Sequence, residues 1–469
     1  MRFDSYDANT KVLQDPYSVA GYYKASEFEN SGSGYSAPQQ SGYVRPGNIG
    51  DEYAVYVNDN SPDASIIGFR NGEQWYDENG LAVNTPTELG SILLPALRGF
   101  STAINDPQGE EYNPDNAFRD YTPSFVVMPR ISFSFPIGDK ANFYANYDIL
   151  SMRPPEATLA TPLTYFNFRN NRDLMANPNL RPQRTINYEV GYQQALNENS
   201  KLKFSLLYRE ERDLIQARQY VLAYPVTYKS FGNDDFSTVK SLKVEYDRRR
   251  MKNLRILANY TLQFAEGTGS SPTSSLNVAA TDLRYIFPLD FDQRHDMFLL
   301  LDYRYGEGKA YDGPKIGKAD ILANTGANLS FNLFSGSPYT RKAIPGGIGT
   351  NFANAQTEGG INGARMPWNF RIDLRIDRDF TIGKKSKNPI DVNVYLRVQN
   401  VLNSRNILDV YPATGNPLDD GFLSIQDSPG LGLLADRGAS YQLLYDLRMR
   451  DPFNISRPRR IFLGALFTF

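Results

Sequence analysis

From Arg371 to Asp379 the chain reads Arg-Ile-Asp-Leu-Arg-Ile-Asp-Arg-Asp. Ile372, Leu374 and Ile376 fall on one face, and Arg371, Asp373, Arg375 and Asp377 on the other. Strict alternation is the period of a β-strand. The stretch from Asp391 to Val401 repeats it, with Val392, Val394, Leu396 and Val398 set against Asp391, Asn393, Tyr395, Arg397 and Gln399. The last such stripe, Ile461, Leu463, Ala465, Phe467 and Phe469, runs to the final residue. An ionised face behind an apolar face has two readings. A soluble antiparallel sheet turns its polar face to water, whereas a membrane barrel turns its apolar face to lipid and its polar face to a wet interior. One strand does not separate them; a long series, ending on a strand, favours the barrel.

Counting back from Phe469 gives eleven spans, each about the length of a tilted membrane strand or longer, which is roughly 9–11 residues. They cover 457–469, 388–402, 366–380, 319–334, 291–305, 252–266, 235–249, 200–212, 183–196, 140–151 and 123–136. Short links fall at 138–140, 197–200, 250–253 and 383–388; long links rich in Gly, Pro and Ser fall at 152–183, 267–291, 335–365 and 403–456. Bacterial barrels have short periplasmic turns and long extracellular loops. All the short links land on one side in this count, and only the link 306–319 is long for a periplasmic turn. Residues 8–118 are polar, with many Asn, Gly, Pro, Ser and Tyr, and nothing in them alternates for long. The expectation is one extracellular loop with room for a small hairpin, followed by the barrel strands of 119–469. Met1–Asp7 then forms the outer end of a further strand.

Composition agrees and narrows the function classes. Lys and Arg number 50 against 52 Asp and Glu, so no basic surface points to nucleic acid. Mean hydropathy is -0.48, and no apolar run approaches the roughly 18 residues of a membrane helix. Tyr (31) and Phe (28) are abundant, as suits strands and the aromatic girdles of a barrel. Cys is absent and His295 is the single histidine. Thiolate chemistry and multi-histidine metal sites are thereby excluded, and no Ser is marked as an activated nucleophile. We expect no enzyme, no catalytic residue and no cofactor. Residues 1–30 show no basic start followed by an apolar stretch. An outer-membrane protein needs such a leader, so either the barrel reading fails or the true N-terminus lies upstream.

Several motifs carry a family resemblance. Asn177-Pro178-Asn179-Leu180-Arg181-Pro182-Gln183-Arg184-Thr185, running into Tyr188-Glu189-Val190-Gly191-Tyr192, resembles the "NPxLxPE…E-x-G" start of a strand in TonB-dependent receptors, with Gln183 where Glu is usual. Phe291-Asp292-Gln293-Arg294-His295-Asp296 resembles their "D-x-R-H" segment. Ser335-Gly336-Ser337-Pro338-Tyr339-Thr340 resembles "SG-x-PYT", and Val398-Gln399-Asn400-Val401-Leu402-Asn403 resembles "NLFN". Order and spacing hold across about 123–469. The long loop with Tyr411-Pro412-Ala413-Thr414-Gly415-Asn416-Pro417 is similar to large receptors with a carboxypeptidase-regulatory-like N-terminal domain.

The resemblance implies an all-β, antiparallel transmembrane barrel of about 22 strands, of which 11–12 are here as the C-terminal half. It implies an outer-membrane receptor importing a nutrient ligand. Its partners would be outer-membrane lipid, the barrel-assembly machinery, and the TonB complex through an N-terminal region with a plug domain that this sequence lacks. Met1 reads as an internal methionine, a false start or a fragment boundary on this view. The alternative is a self-contained passive porin or structural barrel.

The single motifs read as structural. Arg184 and Glu189 would set register by an ion pair or a turn contact, His295 would be a rim residue, and Asn400 and Asn403 would cap a strand end. Asn58-Asp59-Asn60 with Asp63, and Asp106 with Glu110, Glu111 and Asp115, offer oxygen ligands for calcium, but without calcium-loop spacing they read as solvated loop. The glycines of Pro345-Gly346-Gly347-Ile348-Gly349 lack the Lys-Ser/Thr of a phosphate loop. Trp75, Tyr76, Tyr165, Phe166, Tyr220, Tyr224 and Trp368 could contact a ligand; the reading preferred is girdle or loop packing.

Overall fold

The computed structural model of the 469-residue chain describes every residue except 31, 41, 99–113, 156–163, 166–173, 275–284, 346–355, 384–389, 425–438 and 469, with the side chains at 39–40 also left out. Its main element is one antiparallel sheet. Eleven strands follow one another in chain order: β1 (Arg130–Pro136), β2 (Ala141–Met152), β3 (Gln183–Asn197), β4 (Ser200–Tyr220), β5 (Tyr228–Met251), β6 (Leu254–Gly267), β7 (His295–Arg304), β8 (Thr325–Phe334), β9 (Asn369–Ile382), β10 (Ile390–Gln399) and β11 (Arg460–Thr468). Each falls on a span expected from alternation. The stub Arg2–Tyr6 pairs with Ser124–Met128, which runs into β1 through Pro129. Proline has no N–H to give the ladder, which accounts for the break. The sheet is open: β1 and β11 each pair on one side only along this path.

Register shows why the chain alternates. Phe133, Ala145, Val190, Leu206, Leu242 and Leu262 stand directly opposite one another from β1 to β6. Ile256, Leu301, Leu329, Leu374, Val398 and Ile461 continue the belt from β6 to β11. The belt steps along β6 between the two rows, as the strand tilt of a barrel requires. Phe133 is 56% exposed and Leu463 80%, so this face is covered by nothing in the chain itself. The other face is ionised. Lys203 lies 3.4 Å from Glu245 and Lys201 3.9 Å from Asp247, each directly across the β4–β5 pair. Arg304 binds both Asp377 and Asp379. Cross-strand ion pairs of this kind belong on a wet surface. One apolar and one hydrated face is the property the sequence pattern predicted.

Three stretches differ from expectation. Residues 8–118, expected as a loop with at most a hairpin, hold a folded cap. Its five-stranded sheet has the order Ala82–Val83, Gln74–Asp77, Ile66–Asn71, Ala54–Val57, Leu94–Pro95. Ala54–Val57 is buried at all four positions, so both faces are covered and no alternation marks it. Second, the ladder does not stop at 212 and resume at 235. Strands β4 and β5 run 21 and 24 residues. At about 3.4 Å per residue, β5 spans on the order of 80 Å, far beyond a hydrocarbon core of about 30 Å. The register slips between Glu211 and Leu214, and Asp213 takes a φ of 56°. This bulge interrupts the alternation that the span was read from. Third, the 403–456 link contains a helix, Ala439–Met449. The long link 306–319 holds a hairpin of its own, Lys315–Ile316 with Ala319–Asp320.

Candidate ligand-facing mouth of the barrel

The links 152–183, 267–291, 335–365 and 403–456 lie at one end of the sheet, opposite the link 306–319, and the projecting β4–β5 hairpin carries the cap there. The cap core joins three parts of the chain. Tyr17, Tyr56, Trp75 and Phe118 from the cap meet Tyr165 and Met175 from the β2–β3 link and Tyr220 and Tyr228 from the hairpin. Tyr17 sets its ring edge against Trp75 at 5.4 Å and against Tyr220 at 5.3 Å, a geometry aromatic rings prefer. Beneath them Arg70 donates through Nε to Tyr56 Oη at 2.9 Å and through Nη1 to the Gly72 carbonyl at 2.6 Å, and it pairs with Asp15. Burial raises the hydroxyl pKa of Tyr17, and it pushes Tyr165, Tyr220 and Tyr228 well above the ordinary value. These phenols stay neutral and serve as packing.

Two recesses open at this end, the first of mixed lining, with Leu214, Ile215, Leu289 and Phe291 beside its polar groups, and the second polar. One, of about 150 Å³, lies on the ionised face among Gln183, Glu211, Asp235, Ser237, Ser270 and Ser271. Ser237 Oγ donates to Glu211 at 2.6 Å and Thr268 Oγ1 to Asp235 at 2.9 Å. The second, of about 180 Å³, lies in the cap among Gln14, Asp15, Ser18, Lys24, Arg98 and Asp115. Glu27 takes both oxygens to Arg98 Nη2, at 2.7 and 2.6 Å. The chemistry offered is hydrogen bonding and charge pairing with a polar ligand.

The resemblance motifs resolve into fasteners at the bases of the loops. Asn177 Nδ2 donates to the Phe231 carbonyl at 2.7 Å, the Arg181 amide donates to Asn233 Oδ1 at 2.7 Å, and Leu180 is buried, which ties the β2–β3 link to the hairpin. Glu189 does not pair with Arg184. It accepts from Tyr144 Oη at 2.9 Å and Asn146 at 3.3 Å, while the Tyr144 ring lies where a Cβ on Gly191 would sit, 2.2 Å away. Glu and Gly of "E-x-G" thus hold one tyrosine across the β2–β3 ladder. Asp292 is fully buried; it accepts from the Ala265 amide at 2.8 Å and Arg294 Nε at 3.1 Å and pairs with Arg365. Its neighbour His295 begins β7, has Tyr260 Oη 2.9 Å from Nδ1, and stacks on Trp368 at 5.3 Å. It is a rim residue, as read. In "SG-x-PYT", Gly336 passes so close to Met366 that a Cβ would stand 1.8 Å from the carbonyl oxygen. Asn400 and Asn403, both at φ 55°, accept from the amides of Ser404 and Arg459 at 2.9 Å.

The other candidates sort themselves. Asn58 and Asp59 accept from the amides of Ser65 and Ser61, and Asp63 from Ser36, so they build turns. Asp115 pairs with Lys11 at 2.6 Å. Asp106, Glu110, Glu111, Phe166 and Gly346–Gly349 lie outside the described residues. Among the described residues no group of three or more acidic or histidine side chains is placed to hold a metal. Trp75, Tyr165 and Tyr220 are buried packing. The sequence reading missed the Arg70–Asp15 pair; nothing in their separate neighbourhoods signals that they meet.

Residues 98–317 match the outer membrane protein beta-barrel family. No curated protein matches. Among solved structures, the ferripyoverdine receptor FpvA of Pseudomonas aeruginosa aligns at 12% identity and a TM-score of 0.39, over 62% of this chain and 31% of that one. The outer membrane transporter YddB of Escherichia coli aligns at 13% and 0.40, over 62% and 39%. The ferric-catecholate import receptor Fiu of E. coli aligns at 11% and 0.39, over 75% and 36%. The alignments span about a third of each of those chains. The match over 98–317, with the two-faced antiparallel sheet, makes this an outer-membrane β-barrel sheet of the Gram-negative type.

Proposed function

We propose that the chain is the C-terminal barrel portion of a TonB-dependent receptor, capturing a polar nutrient ligand at the cell surface for import. On this reading the cap and long links face outward. Sequence encoded upstream supplies the plug, the TonB contact and the strands that complete the barrel between the stub Arg2–Tyr6 and β11. The observation that carries the reading is the open two-faced sheet whose long-loop end is roofed by a folded cap. A membrane leaves no sheet edge unsatisfied, and the edges at both ends of the described path call for further strands. The ordered motifs from Asn177 to Asn403 support the same assignment. The role is binding and a ligand-coupled conformational change rather than catalysis.

Two measurements test it. The chain has no native cysteine, so Leu81→Cys, at an exposed cap position, is expected to react with a membrane-impermeant maleimide on intact cells. Absence of labelling on intact cells, with labelling after lysis, would reverse the orientation. Residues 1–469 with an export leader are then compared with the same segment fused to its upstream reading frame. A heat-modifiable barrel only in the fusion is expected. A stable conducting pore formed by 1–469 alone would replace the receptor reading with a passive porin.

A further inference from the structure

The helix Ala439–Met449, in the link between β10 and β11, carries an apolar face that its own packing does not use. Its buried side chains are Tyr445 and Met449. At about 100° per residue, Leu443, Leu444 and Leu447 fall on the opposite side of the helix. They are 64%, 66% and 59% exposed. An amphipathic helix ordinarily turns its leucines inward; here the tyrosine and methionine face in and the leucines face out. On the import reading this end of the sheet stands in water, and a cluster of exposed apolar side chains there marks a surface that another polypeptide covers.

The contacts behind the helix give the direction of that face. The Tyr445 ring stacks on Phe422 at 5.2 Å, and its Oη donates to Asp420 at 2.5 Å. Tyr411 Oη donates to the Met449 carbonyl at 3.0 Å. The segment 411–422 rests in turn on the link between β8 and β9. The Lys342 amide donates to the Pro412 carbonyl at 3.2 Å. A Cβ on Gly415 would stand 2.7 Å from Tyr339 Oη, and one on Gly421 3.6 Å from Pro345 Cγ. The helix thus leans on 411–422, and 411–422 leans on the β8–β9 link, each step running back from the open edge of the sheet. Past the helix, the Leu408 amide donates to the Asn454 carbonyl and the Ser456 amide to the Asn406 carbonyl, both at 2.8 Å. Met449 is five residues from Asn454, so the end of the helix lies within about 18 Å of this tie. The tie sits between β10 and β11, and β11 pairs on one side only along the sheet. The leucine face, turned away from the β8–β9 side, looks toward whatever continues the sheet past β11.

We propose that Leu443, Leu444 and Leu447 form the seat for the polypeptide that pairs with the free edge of β11, namely an apolar outward link beside that strand, encoded upstream of Met1. The helix then acts as a clasp across the seam where the barrel closes. The inference rests on the reading that upstream sequence completes the barrel, and a heat-modifiable barrel formed by the fusion to the upstream reading frame checks that reading by itself. The experiment uses this fusion with Leu447→p-benzoylphenylalanine, and separately with Leu443→p-benzoylphenylalanine, irradiated on intact cells and mapped by peptide mass spectrometry. The expected product is a crosslink within one chain, from the helix to a peptide encoded upstream of Met1. In the purified single-chain fusion in detergent, Leu447→Cys is expected to react with a bulky maleimide at least tenfold more slowly than Leu81→Cys, with the unsubstituted fusion as the blank. Both positions are exposed in this chain, so the two probes leave its packing intact, and position 443 serves if a 447 variant assembles poorly. Where the barrel forms, crosslinks to a second copy, to another polypeptide, to lipid or to residues 1–469 of the same chain would overturn the proposal, as would equal labelling rates at 447 and 81. A fusion that forms no heat-modifiable barrel would overturn the earlier reading and this one with it.

Discussion

The Arg70–Asp15 pair offers the sharpest test of how the cap is held. Its side chains are 4% and 7% exposed. Asp15 sits on the segment leaving the stub strand, and Arg70 lies in the central strand Ile66–Asn71 of the cap sheet. The guanidinium carbon is 4.6 Å from the Tyr17 ring centre and 5.4 Å from that of Trp75. Asp15 Oδ1 also accepts from the Tyr17 amide at 2.9 Å. Removing one partner strands a charge among aromatic rings, at a cost of about 3–5 kcal/mol. Lost cation–π contact contributes up to about 2 kcal/mol of this for Arg70 variants. Replacing both partners by apolar residues of similar volume removes the stranded charge, and such replacements are often neutral or stabilising.

Arg70→Met and Asp15→Leu should therefore each destabilise the cap by about 3–5 kcal/mol, and the double variant by much less than their sum. The chain has two tryptophans, so in a Trp368→Phe background Trp75 alone reports the cap. Urea titration in detergent, read by Trp75 fluorescence, gives the cap transition. In the segment fused to its upstream reading frame, heat-modifiable mobility follows the barrel separately and should not change. Single variants costing under about 1 kcal/mol, or a double variant whose cost equals the sum of the singles, would refute the argument that the pair is a mutually dependent buried contact.

Other consequences are open to direct measurement. Gly191→Ala forces the Tyr144 ring off its seat and away from Glu189. A loss of about 1–3 kcal/mol is expected in urea-dependent folding into vesicles, with partial recovery when Tyr144→Ala is added. Gly336→Ala meets backbone rather than a movable side chain, so in the fusion to the upstream reading frame the yield of heat-modifiable barrel should fall severely while expression as inclusion bodies persists. Burial raises the hydroxyls of Tyr35 and Tyr43 from 10.0 to about 12. Their contribution is complete below pH 10 and is lost as pH rises through about 12, so Trp75 fluorescence should show the cap loosening on that side. At acid pH, burial works to raise the Glu27 carboxyl, yet the Lys24 amide and the Arg98 guanidinium together hold it below 4.5. That contribution is present above pH 4.5 and disappears as pH falls through the lowered value, and Arg98→Gln should abolish the acid-side change.

What was legible in the sequence follows from which physical constraint acts at each position. A strand between lipid and water must alternate, and β9, β10 and β11 could be read residue by residue for that reason. Strand β4 could be read only to 212, because the Glu211–Leu214 slip breaks the period without ending the ladder. Ala54–Val57 has no period to read, since both of its faces are covered. In the helix Ala439–Met449 the buried residues are Tyr445 and Met449, while Leu443, Leu444 and Leu447 stay exposed. Its apolar residues do not mark its packed side, so helical periodicity was not recognisable. The charged partners of the cap come from positions 55 residues apart in the chain, and local patterning carries no information about such a meeting.

The motifs that carry the family resemblance and the residues that line the recesses are, with the exceptions of Gln183 and Phe291, different residues. Asn177, Glu189, Gly191, Asp292, Gly336, Asn400 and Asn403 hold tyrosine, amide or backbone partners at the bases of loops. Glu211, Asp235, Ser270 and Ser271 stand in the recess on the ionised face. Gln183 belongs to both sets, and it is the position where this chain departs from the usual Glu of the motif. Exchange of a carboxylate for an amide beside Glu211 and Asp235 removes one negative charge from a recess that already holds two. At close range, like charges raise each other's cost of ionisation. A glutamate there would make the recess a stronger cation trap, whereas glutamine leaves it able to donate as well as accept. Position 183 is thus a motif position that also lines the recess, together with the carboxylates of Glu211 and Asp235 and the apolar side chains of Leu214, Leu289 and Phe291.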